Sequence, residues 1–97
     1  MKDLCLVTDI WELVKQENHC QLEKWGIQDR TPFEWLAFAT EELGELAKAI
    51  SEYHFRHGSP EDCVKEAIQS ATLCLKIAEM FRALGGEREK KHDEDSR

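Results

Sequence analysis

Proline is nearly absent from this chain. It occurs twice, at Pro32 and Pro60, each time directly after a hydroxyl residue, Thr31 or Ser59. So few breakers permit long helices, and no segment shows the strict alternation of a strand. The four cysteines, Cys5, Cys20, Cys63 and Cys74, lack any CxxC spacing, and no secretory signal is read ahead of them. The expectation is reduced, mostly buried thiols in a cytoplasmic protein. No apolar run is long enough for a membrane span, because Lys76 and Glu79 interrupt the longest ones. Positive charge is in deficit, with 13 basic against 20 acidic residues and a net charge of −7. That balance disfavours a nucleic-acid polymer or an anionic membrane as partner, but not a nucleotide whose phosphates are bridged through metal.

What remains is an amphipathic helical chain of one small domain, residues 1–86, followed by a charged tail. The first helix is expected from about residue 4 to 24, with Leu6, Ile10, Leu13 and Cys20 as its core stripe and Gly26 ending it. Thr31-Pro32-Phe33-Glu34 combines an N-cap hydroxyl, proline at the first helical position and glutamate at the capping-box position. The helix it starts should reach Phe55, with Leu36, Ala39, Leu43, Leu46, Ala47 and Ile50 as its core stripe, and break at His57-Gly58.

Ser59-Pro60-Glu61-Asp62 repeats the start chemistry. The third helix then has two apolar faces. One carries Val64, Ala67, Ile68, Ala71, Leu75, Ala78 and Phe81, the other Glu66, Gln69, Leu73, Ile77 and Met80. Leu84-Gly85-Gly86 is expected to close it, leaving Glu87 to Arg97 as a disordered tail without an apolar residue. The short second turn predicts that helices two and three lie antiparallel. Two apolar faces on one helix exceed what two neighbours can cover. The fold class is therefore all-α, an antiparallel bundle of three helices completed by oligomerisation as a dimer or a pair of dimers.

Within the second helix lies the run Glu41-Glu42-Leu43-Gly44-Glu45. Glu42 and Glu45, three apart, project from nearly one side, interleaved with Trp35, Phe38 and Ala49. Unpaired carboxylates among aromatics are costly to desolvate, and a divalent cation is the usual way to gather them. Glu66 and Gln69 sit early in the third helix at a depth that can face them. Three carboxylates from two helices would then converge on a volume for one or two hard cations, read as Mg²⁺, with Mn²⁺ as a substitute. The bland alternative pairs these glutamates with Lys48 and Lys65 on a wet surface. A di-iron carboxylate bundle is disfavoured, since no histidine has a glutamate three residues before it.

Trp35-Leu36 through Glu41-Glu42-Leu43-Gly44-Glu45-Leu46-Ala47-Lys48-Ala49-Ile50, with Lys65-Glu66 after it, resembles the MazG-like all-α nucleoside triphosphate pyrophosphohydrolases. The family's signature is ExxE, a spacer, then ExxD. The resemblance covers residues 21 to 82 and departs at the final acid, where Gln69 stands for aspartate. A subset sharing glutamine here, together with a stretch like Trp25-Gly26-Ile27-Gln28, makes this a subtype. The resemblance implies hydrolysis of a nucleoside triphosphate between its α and β phosphates as nucleotide-pool house-cleaning. It implies metal ligation by Glu42, Glu45, Glu66 and Gln69. Glu41 is the candidate for orienting or deprotonating the attacking water, although a surface ion pair would also suit it. Lys48 and Lys65 are candidates for phosphate contacts; pairing of Lys48 with Glu52 competes. Trp25, Gln28, Trp35 and Phe38 could form a base pocket, with core packing the simpler role for Trp35 and Phe38. A catalytically silent nucleotide-binding bundle and a purely structural helical dimer are the other two readings.

Overall fold

The computed structural model describes residues 1–95, with side chains to residue 86. It contains three helices and, among the described residues, no strand: α1 (Thr8–Trp25), α2 (Pro32–Phe55) and α3 (Pro60–Asp95). The start signals of α2 and α3 act as the sequence predicts. The Glu34 amide donates to Thr31 Oγ1 at 3.2 Å and the Thr31 amide donates to Glu34 Oε1 at 3.1 Å, a reciprocal capping box. The Asp62 amide donates to Ser59 Oγ at 3.2 Å. Gly26, at φ 70°, ends α1 and returns its amide to the Leu22 carbonyl at 2.8 Å.

The boundaries differ from expectation at two helix ends. Residues 4–7 lie outside α1, whose N-cap is Val7 with no side-chain cap, so nothing local extends the helix backward. At the other end α3 does not close at Gly85-Gly86 but continues to Asp95. Two glycines cost about 1 kcal/mol each in a helix interior, and the glutamates, arginine and lysines that follow them are strong helix formers with no proline to stop them. Of the expected tail, residues 96 and 97 lie outside the described residues.

The turn between α2 and α3 is tight. Glu52 carbonyl accepts from both Arg56 and Gly58 amides at 2.9 Å, and His57 takes the left-handed φ of 59°. Gly58 then presses on the end of α2, where a Cβ would stand 2.9 Å from Glu52 C and Tyr53 N. The sequence singles out His57-Gly58 as the break. The positive φ falls on the histidine, while the glycine serves close approach.

α3 is the common strut: α1 and α2 each pack along it, and their backbones do not approach one another. α2 turns Trp35, Phe38, Ala39, Glu42, Leu46 and Ala49 toward it. This corrects the expected stripe, because Leu36, Leu43 and Ile50 remain 58%, 58% and 51% exposed. The inward face is the flank bearing Glu42, one side of the aliphatic stripe. On α3 the stripe Glu66, Gln69, Leu73, Ile77 and Met80 is the covered one, whereas Val64, Leu75 and Phe81 face outward. α1 buries its Ile10, Val14, Glu17 and Gln21 side in part and leaves Leu13 and Cys20 exposed.

Leu73 is the only apolar side chain among the described residues that is buried. Ser70 and Thr72 beside it are buried too, and their hydroxyls donate to the Glu66 and Ile68 carbonyls of their own helix at 2.9 and 2.8 Å. The expectation of mostly buried thiols is likewise corrected. All four cysteines are free, but Cys5, Cys20 and Cys74 are exposed and Cys63 half-covered. So thin a chain has little interior in which to place them.

Candidate carboxylate site

The inward turn of the Glu42 flank brings carboxylates of two helices to one place. Gln69 lies between Glu42 on α2 and Glu66 on its own helix. Two acceptors face this amide, so its nitrogen is the atom turned to them, and it donates to Glu42 Oε2 and Glu66 Oε2, both at 3.0 Å. All three side chains are half-buried. Burial pushes the Glu42 carboxyl above the ordinary carboxylate range, and the charges of Glu66, Glu41, Glu45 and Glu17 push it the same way. Among the described residues the salt bridges are Lys15–Glu12, His19–Glu23 and Arg30–Glu34, so neither Glu42 nor Glu66 forms one.

The other expected residues divide around this centre. Glu45 is exposed and, with Glu66, lines an open groove of about 170 Å³ that runs past Lys48 and Glu52 to Gly58 and Asp62. Lys48 therefore flanks the carboxylates, while Lys65 is exposed and does not line the groove. Glu41 is exposed on α2 next to Glu42. Glu42, Glu66 and Gln69 are thus brought together and Glu45 adjoins them. Among the described residues, no three His, Cys, Asp or Glu side chains stand close enough to hold a metal ion as they are placed. The Gln69 amide separates the two nearest carboxylates, and Glu45 looks into the groove.

The aromatic candidates fall into two groups. Trp35 and Phe38 are half-buried and meet edge to face with centroids 5.9 Å apart, and the Arg30 guanidinium lies 5.8 Å from the Phe38 ring centroid. Trp25 is 61% exposed at the end of α1, under the Lys24 ammonium at 5.0 Å. Gln28 is half-buried in the following loop.

Three residues that sequence reasoning missed come from the α1–α3 contact. Lys76 Nζ donates to Gln21 Oε1 at 2.7 Å, and Gln21 Nε2 donates to Glu17 Oε2 at 2.8 Å. Burial lowers the Lys76 pKa, partly countered by the Glu17 charge. The available signal was weak: Glu17 and Gln21 stand one turn apart, and Lys76 interrupts an apolar stretch seven residues after Gln69, hence on the same face. No protein-family model, curated protein or solved structure matches the chain.

Proposed function

We propose that this chain is a Mg²⁺-dependent nucleoside triphosphate pyrophosphohydrolase, working as an oligomer of antiparallel helical bundles in the manner its MazG-like stretch implies. One observation carries the reading: Glu42 and Glu66, from two helices, face a single amide and form no salt bridge among the described residues, and burial and like charges raise the Glu42 carboxyl. Hard oxygen donors with uncompensated charge suit a hard dication. Glu42, Glu66 and Glu45 would hold it, joined by Gln69 once its amide turns to present oxygen. Bound there, Mg²⁺ supplies neutralisation of the triphosphate and a lower pKa for water.

The chain's own residues do the rest. Water attacks the α-phosphorus and gives up its proton, for which Glu41 beside Glu42 is the acceptor; the bond from the α-phosphorus to the bridging oxygen breaks and pyrophosphate leaves. Lys48, in the groove, meets the departing phosphates, and exposed Lys65 is the weaker candidate. A groove of about 170 Å³ is smaller than the roughly 300 Å³ at the low end of small-molecule sites. The base and sugar therefore extend beyond it, against the aromatic residues or a second copy.

Pyrophosphate release from a panel of nucleoside and deoxynucleoside triphosphates, with Mg²⁺ or Mn²⁺, tests the reading. Turnover is expected in the wild type and lost in a folded Glu42→Gln variant; full activity in that variant sinks the assignment. Gln69→Asp should tighten Mg²⁺ by adding a charge. A second reading, a silent nucleotide-binding bundle, draws on the same amide, because Gln69 already satisfies one oxygen of each carboxylate. Mg²⁺-dependent nucleotide binding without turnover would select it.

A further inference from the structure

We propose that Arg30 selects the base of the substrate and that nucleotides with an accepting base edge, guanine first, are preferred; the inference rests on the function proposed above. Arg30, Glu34, Phe38 and Glu42 stand four apart in the chain. From Glu34 onward that spacing lays them along one flank of α2, each about 6 Å beyond the last. The groove leaves the carboxylates in one direction, past Lys48 and Glu52 toward the end of α2. Phosphates that follow it leave the sugar and base to lie the other way, over Phe38 and Trp35. Those two rings meet edge to face with 5.9 Å between centroids, and the Arg30 guanidinium stands 5.8 Å from the Phe38 centroid.

The cation is held there by a relay. The Thr31 amide donates to Glu34 Oε1 at 3.1 Å, and the other oxygen, Oε2, faces Arg30 Nη1 at 3.6 Å. At that separation the pair is electrostatic, so it aims the guanidinium without taking up a hydrogen-bond donor. A guanidinium only donates, and it does so from a rigid planar fork. Beside a base stacked on Phe38, the fork matches O6 and N7 of guanine together, and O4 of uracil or thymine singly. Adenine and cytosine carry an amino group where those oxygens stand, so donor meets donor.

Two other roles for Arg30 predict different results. As part of the helix start, its loss would lower the melting temperature and leave the order of substrates alone. As a general attractor of phosphate, its loss would weaken every nucleotide alike. As the reader of the base, its loss narrows the gap between guanine and adenine.

The test is steady-state hydrolysis by the full chain, with Mg²⁺, of GTP, ATP, UTP and CTP and their deoxy counterparts, with thermal unfolding of each variant. Wild type is expected to favour guanine over adenine by about tenfold in kcat/KM. Arg30→Met should bring that ratio close to one. Arg30→Lys should do the same, because an ammonium is a point charge without the fork. Both variants should melt near wild type, since an exposed ion pair and an exposed cation–ring contact hold little. Equal use of all bases overturns this inference alone, as does a preference for adenine, whose edge suits an amide such as Gln28. An unchanged ratio in Arg30→Met, or a loss spread evenly over all substrates, also overturns it. Hydrolysis of no nucleotide by the wild type overturns the function itself, and this inference with it.

Discussion

Glu34 and Glu42 sit eight residues apart on one helix, and their carboxyl groups are pushed in opposite directions. Glu34, on the exposed face, is held below its ordinary value, chiefly by the Thr31 backbone amide it accepts from. Its contribution to stability is present above the unfolded-state pKa and fades as pH falls through the folded one. Glu42 is raised, first by burial and then by its acidic neighbours. In the window between its unfolded and folded values the native state binds more protons, so stability falls as pH rises through that window. Without metal, the chain should therefore lose stability as the medium goes from mildly acidic to neutral. Glu42→Gln should flatten that slope and melt higher than wild type at neutral pH, as thermal unfolding across pH would register. A steeper slope in the variant would contradict the placement of Glu42 among like charges. Glu42 and Glu66 were legible as a pair, because charged residues in an apolar helical setting are conspicuous at any spacing. The direction of the Gln69 amide was not, since it depends on which acceptors the fold brings to it.

The helix starts were readable because caps are local: Thr31, Pro32 and Glu34, or Ser59 and Asp62, need only one turn of chain to find each other. Helix faces were not equally readable. Leu36, Leu43 and Ile50 looked like the inner stripe by hydropathy alone, yet α3 covers the neighbouring flank. Periodicity locates an apolar face; which neighbour covers it is a tertiary matter. The turn after α2 makes a sharper prediction. A methyl group at residue 58 would meet backbone atoms of Glu52 and Tyr53 at 2.9 Å, and backbone cannot step aside as a side chain can. Gly58→Ala is expected to cost roughly 1–3 kcal/mol, read from denaturant unfolding. Gly44, with open space around it, makes a control that should change little sterically and gain helix propensity on going to alanine. Equal stability of the two variants would mean the turn is looser than described.

The whole molecule exposes 8527 Å², against about 5,700 Å² expected for a folded chain of this mass. Its radius of gyration is 17.2 Å, where a compact chain of about 100 residues has about 13 Å. The projecting end of α3 contributes to both figures, but the outward leucines and phenylalanines contribute as well. Such a surface is expected to close on a second copy. Light scattering should give a mass of two chains or more, and Leu43→Glu, on the outer stripe of α2, should shift the mass toward one chain while leaving helicity in place. A wild-type monomer at high concentration would refute this. Oligomerisation is an expectation read from chain length and from the two apolar faces of α3; that the Leu36, Leu43 and Ile50 stripe of α2 stays exposed was not legible.

Because both outer helices lean on α3 and not on each other, the molecule has two separate seams on one shared spine. A substitution that loosens one seam would leave the other with all its contacts, so damage to α1 should be felt at the α2–α3 groove only through α3 itself.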